Sequence, residues 1–256
     1  MIAITRDVSP SLAGCELSFV ARTAIDVERA VAQHHAYRKV LTALGCRVIA
    51  LPALADMPDA VFVEDVAIVL DEVAILTRPG AASRRAEGAS VAAALMHYRP
   101  LRAIQAPGTL DGGDILRVGR TLYVGEAARS NAAGIAQLRA LLDDFGYTVQ
   151  AVPTHGCLHL KSAVTQVAAD TLLVQPAWFD VSVFTRFRLI EVDPDEEHAA
   201  NALRVGNGVI HPHCFPRTGQ RLQASGIAVT PVDISELQKA EGAVTCCSLV
   251  FPESTG

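Results

Sequence analysis

The chain of 256 residues is 50% hydrophobic and 19% charged, which is typical of a folded globular protein and excludes a disordered one. Its formal net charge of −5 provides no electrostatic attraction to nucleic acid or to an anionic membrane surface. No apolar run reaches the ~18 residues that a membrane-spanning helix needs, so we expect neither nucleic-acid nor membrane partners.

The N-terminus and the cysteines indicate the cellular compartment. The segment M-I-A-I-T-R-D-V-S has no basic leader ahead of a hydrophobic core, so no secretory signal is predicted. The six cysteines are scattered rather than grouped as a disulfide framework. We therefore expect a cytoplasmic protein with reduced thiols. The oligomeric state is left open by the sequence, with a homodimer as one candidate.

Helical patterns recur at long intervals along the chain. Within them, apolar residues are spaced by three and four positions, as on one face of an α-helix. Gly45 and Gly146 stand where a left-handed residue usually ends a helix. The predicted helices cover residues 26–44, 81–98, 127–145 and, more weakly, 177–184.

Five short strand-like segments, rich in β-branched or aliphatic residues, each end at a proline. Proline suits the end of a strand because it cannot donate to a continuing ladder. These prolines are spaced 55, 46, 41 and 37 residues apart, a loose period that is typical of propellers and repeat arrays. The segments are C-R-V-I-A-L-P to Pro52, L-R-A-I-Q-A-P to Pro107, Y-T-V-Q-A-V-P to Pro153, L-I-E-V-D-P to Pro194 and I-A-V-T-P to Pro231.

After each proline comes a loop and then an apolar segment that carries unusual residues. The first four of these segments are followed closely by another strand candidate, at the spacing of an antiparallel hairpin. The repeating unit is therefore strand, hairpin, strand, helix, strand, and about five units would form one closed α/β ring. A doubly wound parallel sheet is the alternative, but its strands need long crossovers. We predict a single domain over residues 1–256.

The unusual residues of these segments suggest nucleophilic chemistry. A cysteine nucleophile needs a nearby acid or base, usually histidine, and a group that orients it. Clustered carboxylates would repel one another unless a cation lay among them. The set therefore suggests a thiol that attacks a cation such as a guanidinium. Its members are Glu64, Asp65, Asp111, Asp114, His159, Cys246 and Cys247.

Five motifs in register resemble the dimethylarginine dimethylaminohydrolases: F-V-E-D-V-A, T-R-P-G-A-x-S-R-R, T-L-D-G-G-D, L-H-L-K-S and V-T-C-C-S. The resemblance runs from about residue 5 to residue 251. It implies the five-bladed pseudo-symmetric α/β propeller (pentein fold) of the guanidine-modifying superfamily. It also implies hydrolysis of asymmetric dimethylarginine and monomethylarginine to citrulline plus dimethylamine or methylamine, with no metal or organic cofactor. The sequence has no Gly-rich phosphate-binding loop of standard spacing, so we expect no nucleotide cofactor.

The same resemblance implies the catalytic roles. Cys246 would be the nucleophile and form a covalent thiouronium with the guanidinium carbon. His159 would protonate the leaving amine and then activate the water that releases citrulline. Asp111 would assist this histidine. The neighbouring Cys247 is predicted to be a buried residue on the opposite face of a strand.

Substrate-binding roles follow from the resemblance as well. Asp65 together with Glu64 would hold the unmethylated side of the guanidinium, which in turn would favour the thiolate. Arginine's planar fork suits the amino-acid carboxylate. The remaining assignments are Arg84 and Arg129 for the carboxylate, Asp59 with the backbone of Leu17 and Glu241 for the α-amine, the Leu17 loop as a lid, and Phe62 as a lining residue.

Three alternatives remain open. Arginine deiminases carry an acid two residues after the histidine, where this chain has Lys161, and a carboxylate there would be unpaired beside a methylated nitrogen. A non-catalytic propeller would not need Cys246, His159 and the acids together. A redox module built on the adjacent cysteines is disfavoured because such neighbours form a strained disulfide. A zinc site is disfavoured because neither these cysteines nor the H-P-H-C segment at 211–214 has a second pair of ligands at standard spacing.

Overall fold

Five sheets of three strands each surround one axial channel in the computed structural model, which describes residues 1–253. In every sheet, the innermost strand pairs antiparallel with the middle strand, and the middle strand pairs parallel with the outer one. In four of the five sheets the antiparallel pair is a short hairpin, as the sequence spacing indicated. The predicted five-bladed α/β propeller is confirmed.

The ring closes where the two ends of the chain meet. The last strand pairs antiparallel with the first, with Ile2 opposite Phe251, so one blade contains both terminal segments. In chain order the strands are β1 (Ile2–Arg6), β2 (Arg47–Leu51), β3 (Ala67–Val69), β4 (Ala74–Leu76), β5 (Leu101–Ala103), β6 (Ile115–Val118), β7 (Thr121–Glu126), β8 (Thr148–Pro153), β9 (Val164–Ala168), β10 (Thr171–Val174), β11 (Arg188–Glu191), β12 (Leu203–Val205), β13 (Gly208–Pro212), β14 (Ala228–Val232) and β15 (Leu249–Phe251).

Along the chain, most of the helices connect the middle strand of a blade to its outer strand. Asp26 caps the first helix by accepting the Arg29 N–H at 3.0 Å, and Gly45 follows it with a φ of 90°. Within residues 1–253 none of the helices is long and apolar enough to cross a membrane. The helices are α1 (Val27–Ala43), α2 (Gly88–Leu95), α3 (Ala132–Leu142), α4 (Leu160–Ala163), α5 (Pro216–Ala224) and α6 (Ser235–Gln238).

The helix predictions were right for α1 and less accurate elsewhere. The segment predicted over 81–98 is a 3-10 turn, Ala82–Arg84, followed by the shorter α2, and 177–184 contains only the turn Val181–Phe184. Helix α5 was missed because it buries only Thr218 and Leu222, too few apolar side chains to show a helical period.

The motif residues do not lie within the inner strands, as the sequence suggested, but in tight turns just before them. The turn Val63–Val66 precedes β3, Gly112–Asp114 precedes β6, and Cys246 and Cys247 lie in a turn before β15. His159 is the residue before α4, which leads into β9. These turns converge at one end of the channel that β3, β6, β9, β12 and β15 line.

Candidate active site

A small cleft at the converging turns contains nine of the eleven residues predicted to form the site. Leu17 and Glu64 are the two that do not line it. Three further residues, which the sequence did not single out, complete its wall. The lining residues are Glu16, Asp59, Phe62, Asp65, Arg84, Asp111, Arg129, Leu158, His159, Ala240, Glu241 and Cys246.

His159 is buried and held by a carboxylate. Its Nε2–H donates to Asp111 Oδ2 at 3.0 Å, while the other oxygen of Asp111 accepts the Gly80 N–H at 2.8 Å. Burial alone would lower the pKa of His159, but Asp65 and Asp111 raise it to about 9. The imidazole is therefore protonated at neutral pH and can act as an acid.

The histidine ring also depends on Gly113. A Cβ added at Gly113 would come within 2.4 Å of His159 Nδ1, so any larger residue would displace the ring. The Gly113 N–H also donates to Asp65 Oδ1 at 2.9 Å. The D-G-G-D motif thus supplies the partner of His159, the space for its ring and a hydrogen bond to Asp65.

Asp114, the second acid of this motif, lies beneath the site. Its Oδ1 accepts the Leu160 N–H at 3.0 Å, and its Oδ2 accepts the Ser130 hydroxyl at 2.6 Å. Burial raises its pKa to about 6. Because it anchors the residue after His159, Asp114 positions the histidine and does not line the cleft.

Asp65 is ionised through a buried charge network. Arg84 Nη1 donates to Asp65 Oδ2 at 2.5 Å, and Arg84 Nε and Nη2 donate to Glu87 at 2.9–3.2 Å. Burial would raise the pKa of Asp65, but His159 and Arg84 lower it to about 2. Arg84 Nη2 also reaches the carbonyls of Asp59 and Phe62 at 3.1 Å. Each nitrogen of Arg84 therefore already has a protein acceptor, and Arg84 orients Asp65.

Glu64 faces away from the cleft, unlike its neighbour Asp65. Its Oε1 accepts the Lys161 ammonium, and its Oε2 accepts the Thr245 hydroxyl at 2.7 Å. Glu64 and Lys161 instead line the axial channel on the other side of the turns. The structure thus places Glu64 outside the cleft, because adjacent residues of this tight turn point to different sides, and its contact with the guanidinium stays a prediction.

The two adjacent thiols have different surroundings. Cys246 is 9% exposed and lines the cleft, whereas Cys247 is fully buried and its Sγ–H donates to Ala243 C=O at 3.4 Å. Burial, Glu64 and Asp65 all raise the pKa of Cys246, so the thiol is neutral before a cation enters. Cys247 is buried away from the cleft, although the reason is a turn and not the alternation of a strand.

The segment of residues 16–20 borders the cleft at Glu16 and is held by the Glu241 side chain. Its Oε1 accepts three successive backbone N–H groups, those of Ser18, Phe19 and Val20. Leu17 is half-buried and packs against the core next to the cleft. The role of the Leu17 loop as a lid stays a prediction, and the Glu241 side chain, as well as its backbone, would take part in it.

Asp59 and Arg129 lie below the lid with capacity for a ligand. Asp59 Oδ2 accepts the Glu16 N–H at 3.1 Å, and burial raises the pKa of this carboxyl. Arg129 Nη2 donates to the Ser18 hydroxyl at 3.0 Å. Unlike Arg84, it forms no ion pair with a carboxylate of the described residues, so its guanidinium is available to a carboxylate ligand.

One cluster of three potential metal ligands occurs in residues 1–253. Oxygen and nitrogen atoms of Asp65, Asp111 and His159 lie within 4.8 Å of one another. His159 already donates to Asp111, and Arg84 already supplies positive charge to Asp65. The arrangement fits a proton-transfer site better than a metal centre.

The chain matches a family model described as N,N dimethylarginine dimethylhydrolase, eukaryotic, over residues 18–250. The curated N(G),N(G)-dimethylarginine dimethylaminohydrolase of Streptomyces coelicolor is 41% identical, with 98% of this chain and 97% of that protein covered. The Pseudomonas aeruginosa enzyme of the same name is 37% identical over 88% of this chain and 90% of its own. This chain belongs to the dimethylarginine dimethylaminohydrolase family.

Solved structures agree with this family assignment. A cysteine-to-serine mutant of the Pseudomonas aeruginosa dimethylarginine dimethylaminohydrolase, complexed with citrulline, superposes with a TM-score of 0.93, 35% identity and coverage of 97% of this chain and 98% of that one. A second structure of a dimethylarginine dimethylaminohydrolase is an adduct with S-methyl-L-thiocitrulline. The N-terminal domain of ArgZ, an arginine dihydrolase of cyanobacteria, is 20% identical with a TM-score of 0.84 and shares the fold.

Several residues that support the dimethylarginine dimethylaminohydrolase site were not predicted. Glu87 completes the Arg84 network, Ser130 holds Asp114, and Thr245 and Asn201 lie beneath Cys246. Asn201 occurs in A-N-A-L-R-V (200–205), the fourth of the apolar segments that follow the five prolines. Its position in the series was the available signal, although an asparagine between alanines resembles no catalytic motif.

Proposed function

We propose that this chain hydrolyses asymmetric dimethylarginine and monomethylarginine to citrulline plus dimethylamine or methylamine. One observation carries the proposal: a cysteine, an imidazolium and an ionised carboxylate converge in one buried cleft, as Cys246, His159 and Asp65. A guanidinium between them would be paired with Asp65 and exposed to the thiol. The family assignment supports the same reaction.

The substrate's own charge would activate the nucleophile. The Cys246 thiol is neutral in the free protein because burial and two carboxylates raise its pKa. A guanidinium bound at Asp65 adds a positive charge beside the sulfur and lowers that pKa, so the thiol proton passes to solvent water. The thiolate then adds to the guanidinium carbon and gives a neutral tetrahedral adduct.

His159 would serve both half-reactions. As an imidazolium it donates a proton to the methylated nitrogen, the C–N bond breaks, and the amine leaves a cationic thiouronium on Cys246. The neutral imidazole then takes a proton from water, and the hydroxide adds to the same carbon. The adduct expels the Cys246 thiolate, and the protonated product loses a proton to give citrulline. Asp111 keeps the ring in place throughout.

The position of Lys161 supports a methylated substrate over arginine. In the related deiminases a carboxylate occupies this place and can bind the second terminal nitrogen, whereas here an ammonium pairs with Glu64. A dimethylated nitrogen has no N–H to donate to such a carboxylate, so the absence of the acid does not weaken binding of the methylated substrate. Symmetric dimethylarginine would crowd Asp65 with its second methyl and lose a donor there.

Product analysis with four substrates tests this function. We expect citrulline and the matching amine from asymmetric dimethylarginine and monomethylarginine, slower citrulline formation from arginine, and the least from symmetric dimethylarginine. The Cys246→Ser variant provides the blank. Faster citrulline formation from arginine than from either asymmetrically methylated substrate would place the protein among the arginine deiminases.

We further propose that the whole chain acts as one cytoplasmic domain on a free small molecule. The pairing of β1 with β15 supports a single domain because neither end can leave without opening a blade. All six cysteines are unpaired, which suits a reducing compartment. A homodimer stays a prediction, and light scattering of the purified protein would decide between it and a monomer.

A further inference from the structure

Asn201 occupies, in the blade formed by β12, β13 and β14, the place that reactive residues occupy in the other blades. It is buried in the segment just before β12, as Asp65 precedes β3 and Cys246 precedes β15. It does not line the cleft. A buried polar side chain normally has hydrogen-bond partners, and the partners of Asn201 indicate what it does.

The partners of Asn201 lie on two other blades. Its Nδ2 donates to the Thr245 hydroxyl oxygen and to the Lys161 C=O, both at 3.0 Å, and its Oδ1 accepts the Thr245 N–H at 3.1 Å. Thr245 is the residue before Cys246, and Lys161 is the second residue after His159. One amide therefore joins the segment of the thiol to the segment of the histidine.

These bonds complete a closed circuit of four side chains and one backbone carbonyl. Because the Thr245 oxygen accepts from Asn201, its own proton is directed to Glu64 at 2.7 Å. Glu64 also accepts the Lys161 ammonium, and the Lys161 carbonyl returns to Asn201. No member of the circuit can turn without breaking a bond of its neighbour.

The backbone around Asn201 is fixed independently. The Thr165 hydroxyl donates to the Ala200 C=O at 2.6 Å and accepts the Ala202 N–H at 3.1 Å, so it clamps the residues on both sides. The side chain of Asn201 thus projects from a rigid base. A rigid support is what a positioning group needs in order to hold a reacting atom.

We propose that Asn201 is a positioning residue that fixes Cys246 relative to His159. This inference rests on the proposed function, because it concerns the two groups that act in sequence on one carbon. Only an amide satisfies the site: it supplies two donors and one acceptor at once. A carboxylate of the same shape would accept from the Thr245 N–H but would face the Lys161 carbonyl and the Thr245 oxygen with no proton to give.

Steady-state kinetics of Asn201→Ala and Asn201→Asp test the proposal. With asymmetric dimethylarginine we expect kcat to fall roughly 10- to 100-fold in both, since misplacement of a reacting group by about 1 Å has that effect. KM should stay within about threefold, because Asn201 does not touch the cleft. The ratio of the Asn201→Asp kcat to the wild-type kcat should rise as the pH is lowered, because a protonated carboxyl regains one donor.

Alkylation of Cys246 by iodoacetamide, followed peptide by peptide in a mass spectrometer, gives a readout without turnover. In Asn201→Asp the pH midpoint of this reaction should move upward, because a new negative charge beside the thiol disfavours the thiolate. If wild-type protein converted no methylated arginine, the proposed function would fail, while this alkylation midpoint would still test the positioning.

Gln33→Ala provides the control. Gln33 is also a buried amide, and it donates to the Ser235 hydroxyl at 2.8 Å and accepts the Glu236 N–H at 2.9 Å, outside the cleft. We expect it to lower the thermal midpoint with kcat unchanged. An equal loss of kcat in Gln33→Ala, or Asn201→Asp kinetics within twofold of wild type at every pH, would overturn the proposal. Failure of both Asn201 variants to fold would overturn it too, since Asn201 would then be a folding residue.

Discussion

Glu64 and Asp65 are adjacent residues of one tight turn, yet their carboxylates serve opposite sides of the propeller. Asp65 lines the cleft, where Arg84 occupies one of its oxygens and the Gly113 N–H the other. Glu64 faces the axial channel, where Lys161 and Thr245 take its two oxygens. Both are buried, but Asp65 borders the cleft that also contains Cys246 and His159, whereas Glu64 does not.

This difference separates a binding group from a supporting one. A buried carboxylate must be compensated, and Glu64 is compensated entirely within the protein. Asp65 has protein partners that keep it ionised, with a pKa of about 2, and it still faces the cleft. A charge that is kept ionised in the wall of a cleft is suited to a cationic ligand. The pair Cys246 and Cys247 divides in the same way.

The largest expected effect comes from the two thiols. Cys246→Ser should lower citrulline formation by on the order of 10⁴-fold or more, because a hydroxyl cannot supply the nucleophile at this site. Cys247→Ser should retain most of the activity and lose about 1–3 kcal/mol of unfolding free energy, because it buries a hydroxyl. Steady-state rates and urea unfolding check both. An active Cys246→Ser beside a dead Cys247→Ser would reverse the roles given to the two residues.

The next test concerns the channel side of the comparison. Glu64→Gln and Lys161→Met should each lose about 3–5 kcal/mol of unfolding free energy, because each leaves a buried charge without its partner. The double variant should lose less than the sum, because it removes both charges. Urea denaturation of all four proteins measures the coupling. Additive losses, with KM raised by Glu64→Gln alone, would instead restore Glu64 as a ligand of the guanidinium.

The cleft side can be tested by pH. The pKa of His159 is raised from 6.5 to about 9 by Asp65 and Asp111, against the effect of burial. A raised pKa stabilises the fold fully below the unfolded value, and this stabilisation is lost as the pH rises through the folded value. At about 1.4 kcal/mol per pKa unit, roughly 3 kcal/mol should disappear between pH 6 and pH 10. Unfolding by urea in the Cys246→Ser background measures this without the reactive thiol, and His159→Gln should flatten the slope.

The sequence predicted features that depend on local patterns better than features that depend on contacts between residues distant in the chain. The repeat of prolines and hairpins gave the ring because strand pairing is local in each blade. The motifs brought His159, Asp111 and Cys246 together because each lies at the same place in its unit. Glu64 and Asp65 were predicted to face one guanidinium together, but they point to different sides of a tight turn, and the E-D motif carries no information on that direction. Asn201 was missed because its role lies in contacts with Lys161 and Thr245, 40 and 44 residues away.

The smallest effect that we expect distinguishes the two arginines predicted for the substrate carboxylate. Arg84 is enclosed by Asp65 and Glu87, whereas among residues 1–253 the Arg129 guanidinium donates to the Ser18 hydroxyl and to no carboxylate. Arg129→Gln should therefore raise KM about 10- to 100-fold, the loss of one charged hydrogen bond, with little change in the unfolding free energy. Arg84→Gln should lower the unfolding free energy as well, because Asp65 and Glu87 lose their cation.

A truncated substrate separates binding from stability in this pair. An N-methylguanidine without the amino-acid end cannot contact Arg129, so wild type and Arg129→Gln should turn it over at the same rate. Arg84→Gln should still be impaired with it, because Arg84 holds Asp65, which contacts the guanidinium itself. Equal impairment of both variants on the truncated substrate would mean that Arg129, like Arg84, acts by supporting the site, and the carboxylate contact would have to come from elsewhere in the lid.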